Sequence, residues 1–175
     1  MDTYKDYQEY IKENAHLLDV VKDNAPSVYL IVEDLIEVLD YVASEKEKGS
    51  KLESELLELF DIGYDYLSTF VEEIDYIFKD YLKSDKNKLA KYNNIITYWF
   101  YFNDLKIYLE YDKHQKDVKL LEDILNEIDD ILKNQKELDN NYIQKYEESI
   151  NILDPHAEHK PVFYIYGSVK EELNL

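Results

Sequence analysis

From about residue 51 to residue 83, apolar side chains return every three or four positions: Leu52, Leu56, Phe60, Leu67, Phe70, Ile74, Ile77 and Tyr81. A strand alternates its faces every two residues, so a run this long at this spacing requires a helix. Gly63 interrupts the run and marks a bend or a close helix contact. The same periodicity recurs on either side. Residues 3–24 predict a helix with Tyr4, Tyr7, Ile11, Leu18 and Val21 on one stripe and Thr3 as cap, ended by Asn24-Ala25-Pro26. A second helix, about 28–47, is capped by Ser27, turns Val28, Ile31, Leu35, Val38, Leu39 and Val42 inward, and stops at Lys48-Gly49-Ser50.

Residues 83–88 read as a polar linker. Segment 89–113 supports two readings. Ile95 to Phe102 has high strand propensity, and Asn103-Asp104 could turn it into a hairpin over 95–111 within an α+β fold. Asn103, Lys106, Glu110 and Lys113 instead form a helical polar stripe, and a buried helix is the preferred reading. Leu121, Ile124, Ile128, Ile131 and Gln135 form a heptad-like seam in a helix over about 117–136. Tyr142, Tyr146, Ile150 and Leu153 mark another over about 139–153. Val162 to Gly167 then reads as a short strand or extended segment. The expectation is an all-α, single-domain bundle of five or six helices over 1–175, with a short β-like C-terminus. No internal repeat or low-complexity linker divides it.

Composition closes off much chemistry. All 20 basic residues are Lys, against 39 Asp and Glu, for a net charge of −19. Without Arg there is no planar fork for bidentate phosphate recognition. Without Cys there is no thiolate metal site, disulfide or cysteine nucleophile. So acidic a chain is a poor direct ligand for nucleic acid, whose binding relies on clustered cations. No run is apolar enough for a membrane span and the N-terminus lacks a signal-peptide pattern, so a cytoplasmic location is expected.

The polar side of the 51–83 helix has the sharpest geometry. Glu55, Glu58, Asp61, Asp65, Ser68, Glu72 and Asp75 share one face, with no base among them until Lys79. Like charges one turn apart each cost an isolated helix a few tenths of a kcal/mol, so helix stability does not explain the row. Glu73, Tyr64, Tyr66 and Tyr76 flank it, and tyrosines suit binding surfaces. The candidate partner-binding residues are therefore Glu55, Glu58, Asp61, Tyr64, Asp65, Glu72, Asp75 and Tyr76. The competing reading is a solvated face in a chain rich in acids. A second cluster, Glu122, Asp123, Glu127, Asp129 and Asp130, has Lys119 and Lys133 at hand for local pairing.

Other sites stay incomplete. His156 and His159, near Asp154 and Glu158, form an H-x-x-H in a loop, which lacks a completing ligand. Glu13 and His16 form an E-x-x-H, but Glu110 stands four residues before His114, so a di-metal bundle lacks its second motif. No G-x-S-x-G or phosphate loop exists among three scattered glycines, and no carboxylate pair sits in a cleft-forming context. The aromatic run around Trp99 reads as core rather than as a ligand pocket.

No catalytic residue, metal or cofactor is expected. The leading expectation is a small acidic protein that blocks a basic macromolecule: an inhibitor or immunity-type protein acting on a nuclease or other nucleic-acid-handling enzyme, with carboxylates standing in for phosphates. The alternatives are a structural or regulatory helical module, dimeric through 95–102, and a metal-dependent bundle enzyme using His16, His156 or His159.

Overall fold

A computed structural model describes residues 2–111, 115–156 and 159–175. Lys113, His114 and Glu158 lie outside the described residues. Every regular element described is helical: α1 (Thr3–Glu13), α2 (Ala15–Asn24), α3 (Pro26–Glu47), α4 (Ser54–Tyr76), a π-helical turn (Ile77–Tyr81), α5 (Lys86–Lys91), α6 (Asn93–Tyr111), α7 (Gln115–Lys133), α8 (Asn140–Leu153) and α9 (Val162–Glu172). The all-α reading is correct. Three differences bring the expected five or six helices to nine among the described residues.

The first expected helix breaks at Asn14, whose side-chain amide donates to the Tyr10 carbonyl at 2.8 Å. An Asn that bonds back to its own turn offers the backbone an alternative to continued helix. Asp2, rather than Thr3, caps α1, accepting from the Tyr4 and Lys5 amides at 3.1 and 3.2 Å. Pro26 opens α3 at its first position, where the missing N–H costs nothing. A second break falls at Tyr92, between α5 and α6. Asp85 caps α5.

The 95–111 hairpin does not form. Ile95, Ile96, Phe100, Phe102, Leu105 and Leu109 are all buried along α6, and such a set cannot come from an alternating strand. Of the 95–102 segment offered above for a dimer, Ile95, Ile96, Phe100 and Phe102 are buried within the chain, and Tyr98, Trp99 and Tyr101 are part-exposed. The expected β-like C-terminus is likewise corrected to the helix α9. Its aromatic and β-branched run favours strand locally, but helical spacing sets Tyr166, 1% exposed, into the packed interior, and burial outweighs propensity.

The chain gathers into two compact units, Met1–Tyr76 with Val162–Leu175, and Ile77–Pro161. In the first, α1, α2, α4 and α9 all pack on α3 or on one another. α3 is the central post, buried on most sides through Val28, Val32, Leu35, Val38, Leu39 and Val42. Gly63 is where α4 meets α9: a Cβ there would stand 2.7 Å from Tyr166 Oη and 3.1 Å from Leu39 Cδ2. The Tyr166 hydroxyl donates to the Leu59 carbonyl at 2.5 Å, and its burial pushes the phenol up to about 12. Lys170 ties α9 to Asp34 and Glu37 of α3.

In the second unit α6 packs on α5, α7 and α8. Leu121, Ile124, Ile128 and Ile131 bury the expected seam of α7. Tyr98, Phe102 and Tyr146 form an aromatic cluster, with Tyr146 fully buried.

Candidate acidic binding face

α4 places its carboxylates as its periodicity requires. Glu55, Glu58, Asp61, Asp65 and Glu72 are exposed, and Asp75 is half-exposed at the end of the row. The row from 55 to 75 covers about 30 Å of helix axis. Among the described residues, Glu55, Glu58, Asp61, Asp65 and Glu72 form no ion pair. These five carboxylates are therefore charged outward with no lysine paired to them among the described residues.

The tyrosines divide. Tyr76 is half-exposed at the end of the row. Tyr64 packs inward against α1, where Tyr4, Tyr7 and Tyr10 climb alongside Phe60 and Tyr64. Ring centroids lie 4.9 Å apart for Tyr4–Phe60, 5.4 Å for Tyr7–Phe60, 5.5 Å for Tyr7–Tyr64 and 5.7 Å for Tyr10–Tyr64. Because the partners advance together in number, α1 and α4 run in the same direction. Tyr7 anchors the ladder below, donating to Asp40 of α3 at 2.6 Å. Burial, then the Asp40 charge, holds the Tyr7 phenol far above its ordinary range.

This packing brings α1's own acids to the face. The Tyr64 phenol is raised by burial first and then by the charges of Asp6 and Glu13. Tyr4 is raised by burial and by Asp61, and Tyr10 by burial and by Glu72 despite a hydrogen bond with Ser68. Asp6, Glu9 and Glu13 are exposed. Two rows of carboxylates thus flank a seam of tyrosines. The row on α1 is legible in the spacing of Asp2, Asp6, Glu9 and Glu13, which stand four, three and four residues apart; its place beside α4 is set by the packing. Thr3, Asp61, Ile62, Tyr64, Asp65 and Ser68 line a shallow groove along this seam. In it Ile62 is 60% exposed, a large apolar side chain between two aspartates.

No protein-family model, curated protein or solved structure matches this chain. The residues themselves carry the reading.

The second acidic cluster is answered by lysines: the ion pairs among the described residues come from Lys106, Lys136 and Lys145, while the Lys133 charge acts on Asp129 and Asp130 without pairing with them. Glu127 accepts from Lys145 at 2.8 Å and from Tyr146 at 2.7 Å. Asp130 pairs with Lys136, and Glu122 with Lys106 at 3.7 Å. Burial works to raise Glu127, and the Lys145 and Tyr146 hydrogen bonds outweigh it, leaving the carboxyl below its ordinary value.

Among the described residues no three His, Cys, Asp or Glu side chains gather closely enough to hold a metal ion. His16 and His156 are exposed. His159 is half-buried between Tyr101 and Tyr108. No helix among the described residues is long and apolar enough to cross a membrane.

Proposed function

We propose that this protein binds a basic macromolecular partner through the paired acidic rows of α4 and α1 and blocks it, the partner being a nuclease or another enzyme that handles nucleic acid. The observation that carries the reading is the set of exposed carboxylates at Glu55, Glu58, Asp61, Asp65 and Glu72, unpaired among the described residues and joined by Asp6 and Glu13 beside Tyr64. An enzyme that grips phosphates presents rows of Lys and Arg. A rigid helix offering carboxylates over about 30 Å fits such a groove, and complementary charge of this kind speeds encounter and excludes the substrate. Ile62 and the Tyr64 edge supply apolar contact for the aliphatic stems of the partner's lysines and arginines.

The test is inhibition of basic nucleases at physiological salt, measured beside a triple variant Asp61→Lys, Asp65→Lys, Glu72→Lys. The proposal expects stoichiometric inhibition that weakens with salt and an association rate at least tenfold slower for the variant. Inhibition that survives the triple reversal overturns it.

A further inference from the structure

His159 is the one titratable side chain among the described residues with a solvent-shielded polar atom that lacks a hydrogen-bond partner there, its Nε2. The imidazole meets two rings of α6: Tyr101 edge-on, with centroids 5.7 Å apart, and Tyr108 tilted at 5.3 Å. Residues 101 and 108 are two helical turns apart, so both rings stand on one face of α6, with Asp104 between them. The His159 backbone N–H donates to Asp154 Oδ2 at 3.2 Å, which fixes the residue at this place.

A neutral imidazole tolerates this setting. An imidazolium does not, because it carries an N–H on each nitrogen and a charge that must be solvated or paired. We propose that His159 is an acid-released latch: uncharged, its ring packs against Tyr101 and Tyr108 of α6, and on gaining a proton it leaves them for water.

The groups facing the ring weigh in both directions. Tyr101 and Tyr108 on α6 are neutral phenols, the former raised by burial and then by the Asp154 charge. Asp104 is the acidic group on that face of α6. Asp154 favours the charged ring, yet burial outweighs it and holds His159 below its ordinary value of 6.5. His156 and Lys160 are the basic residues close to it in the chain. The unfolded chain therefore takes up this proton first. The contribution of the latch is intact above pH 6.5 and declines as pH falls from there through the lowered folded value.

The experiment follows the histidine and tyrosine ring resonances of the full chain by NMR from pH 7.5 to 5. The expected result is that His159 titrates below its ordinary value of 6.5, and that the Tyr101 and Tyr108 rings shift with it. A second measurement compares thermal stability of His159→Phe, which keeps a ring against the tyrosines without a charge to gain. Its stability should fall less than that of the unaltered chain below pH 6.5. If His159 titrates at or above 6.5, or the tyrosine rings stay put through its titration, the proposal is overturned. If His159→Phe fails to fold, the resonances of the unaltered chain decide.

Discussion

The carboxylates of α4 and those of α7 are similar in density and different in what answers them. On α7, Glu122, Glu127 and Asp130 each meet a lysine, Lys106, Lys145 and Lys136. On α4, five exposed acids meet none among the described residues, and α1 adds more acid beside them. Exposed ion pairs contribute only about 0–1 kcal/mol each, so the lysines of the second unit do little for stability overall. Their effect is electrostatic: charge paired at about 3 Å is largely cancelled beyond a Debye length of about 8 Å, whereas a one-signed row still acts on a molecule approaching from solution. The difference separates acids whose charge is answered within the chain from acids whose charge faces outward.

Four measurements would break or sharpen that contrast. The largest effect is expected where the first unit closes. Tyr166→Ala removes a buried ring, its bond to the Leu59 carbonyl and the filling of the Gly63 notch, for a loss of about 3–5 kcal/mol by denaturant unfolding. Gly63→Ala should cost about 1–3 kcal/mol although alanine favours helix, because the added Cβ meets a hydroxyl pinned by its own hydrogen bond. The two losses should fall short of additivity when combined, since the clash needs both partners.

Next comes Glu127→Gln, which weakens the bonds from Lys145 and buried Tyr146 at an expected cost of about 1–2 kcal/mol at pH 7. Glu127 is depressed in the folded chain, so its contribution is complete above its unfolded value of 4.5 and is lost as pH falls through the lower folded one. An acid titration of stability should therefore be shallower below pH 4.5 in the variant. The smallest effect belongs to the open face. Asp61→Asn with Asp65→Asn should leave stability unchanged or raise it by a few tenths of a kcal/mol, because it removes a like-charge pair one turn apart. A loss above 1 kcal/mol would mean that these acids serve the fold after all, and the contrast would collapse.

Periodicity made the helical class legible, together with the burial of Phe60, Leu67, Phe70 and Ile74 and the outward direction of the acids on α4. What escaped was decided by contacts distant in the chain. The run around Phe163 to Tyr166 reads as strand from its own residues and becomes helix through the Tyr166–Leu59 bond, which spans 107 positions. Spacing leaves Gly63 as a bend or a close helix contact; the structure makes it the contact, and its partner Tyr166 lies too far along the chain for spacing to reveal. From the sequence alone Tyr64 flanks the acidic row. Its role as a rung between α1 and α4 depends on Tyr7 and Tyr10, which no spacing within α4 reveals. The acids of α1 were legible in principle, and only the packing shows that they join those of α4.

The notch at Gly63 also has a consequence for synthesis. Its occupant lies on α9, so on the ribosome the first unit waits for residues translated about a hundred positions later. The stretch Ile77–Pro161 emerges whole before α9 does, and the contiguous unit can close first although it comes second in the chain. Until Tyr166 arrives, the nascent α4 keeps a vacant apolar slot on the side opposite its acids. The charge that α4 turns to solvent in the finished protein would also keep that waiting helix dispersed in water.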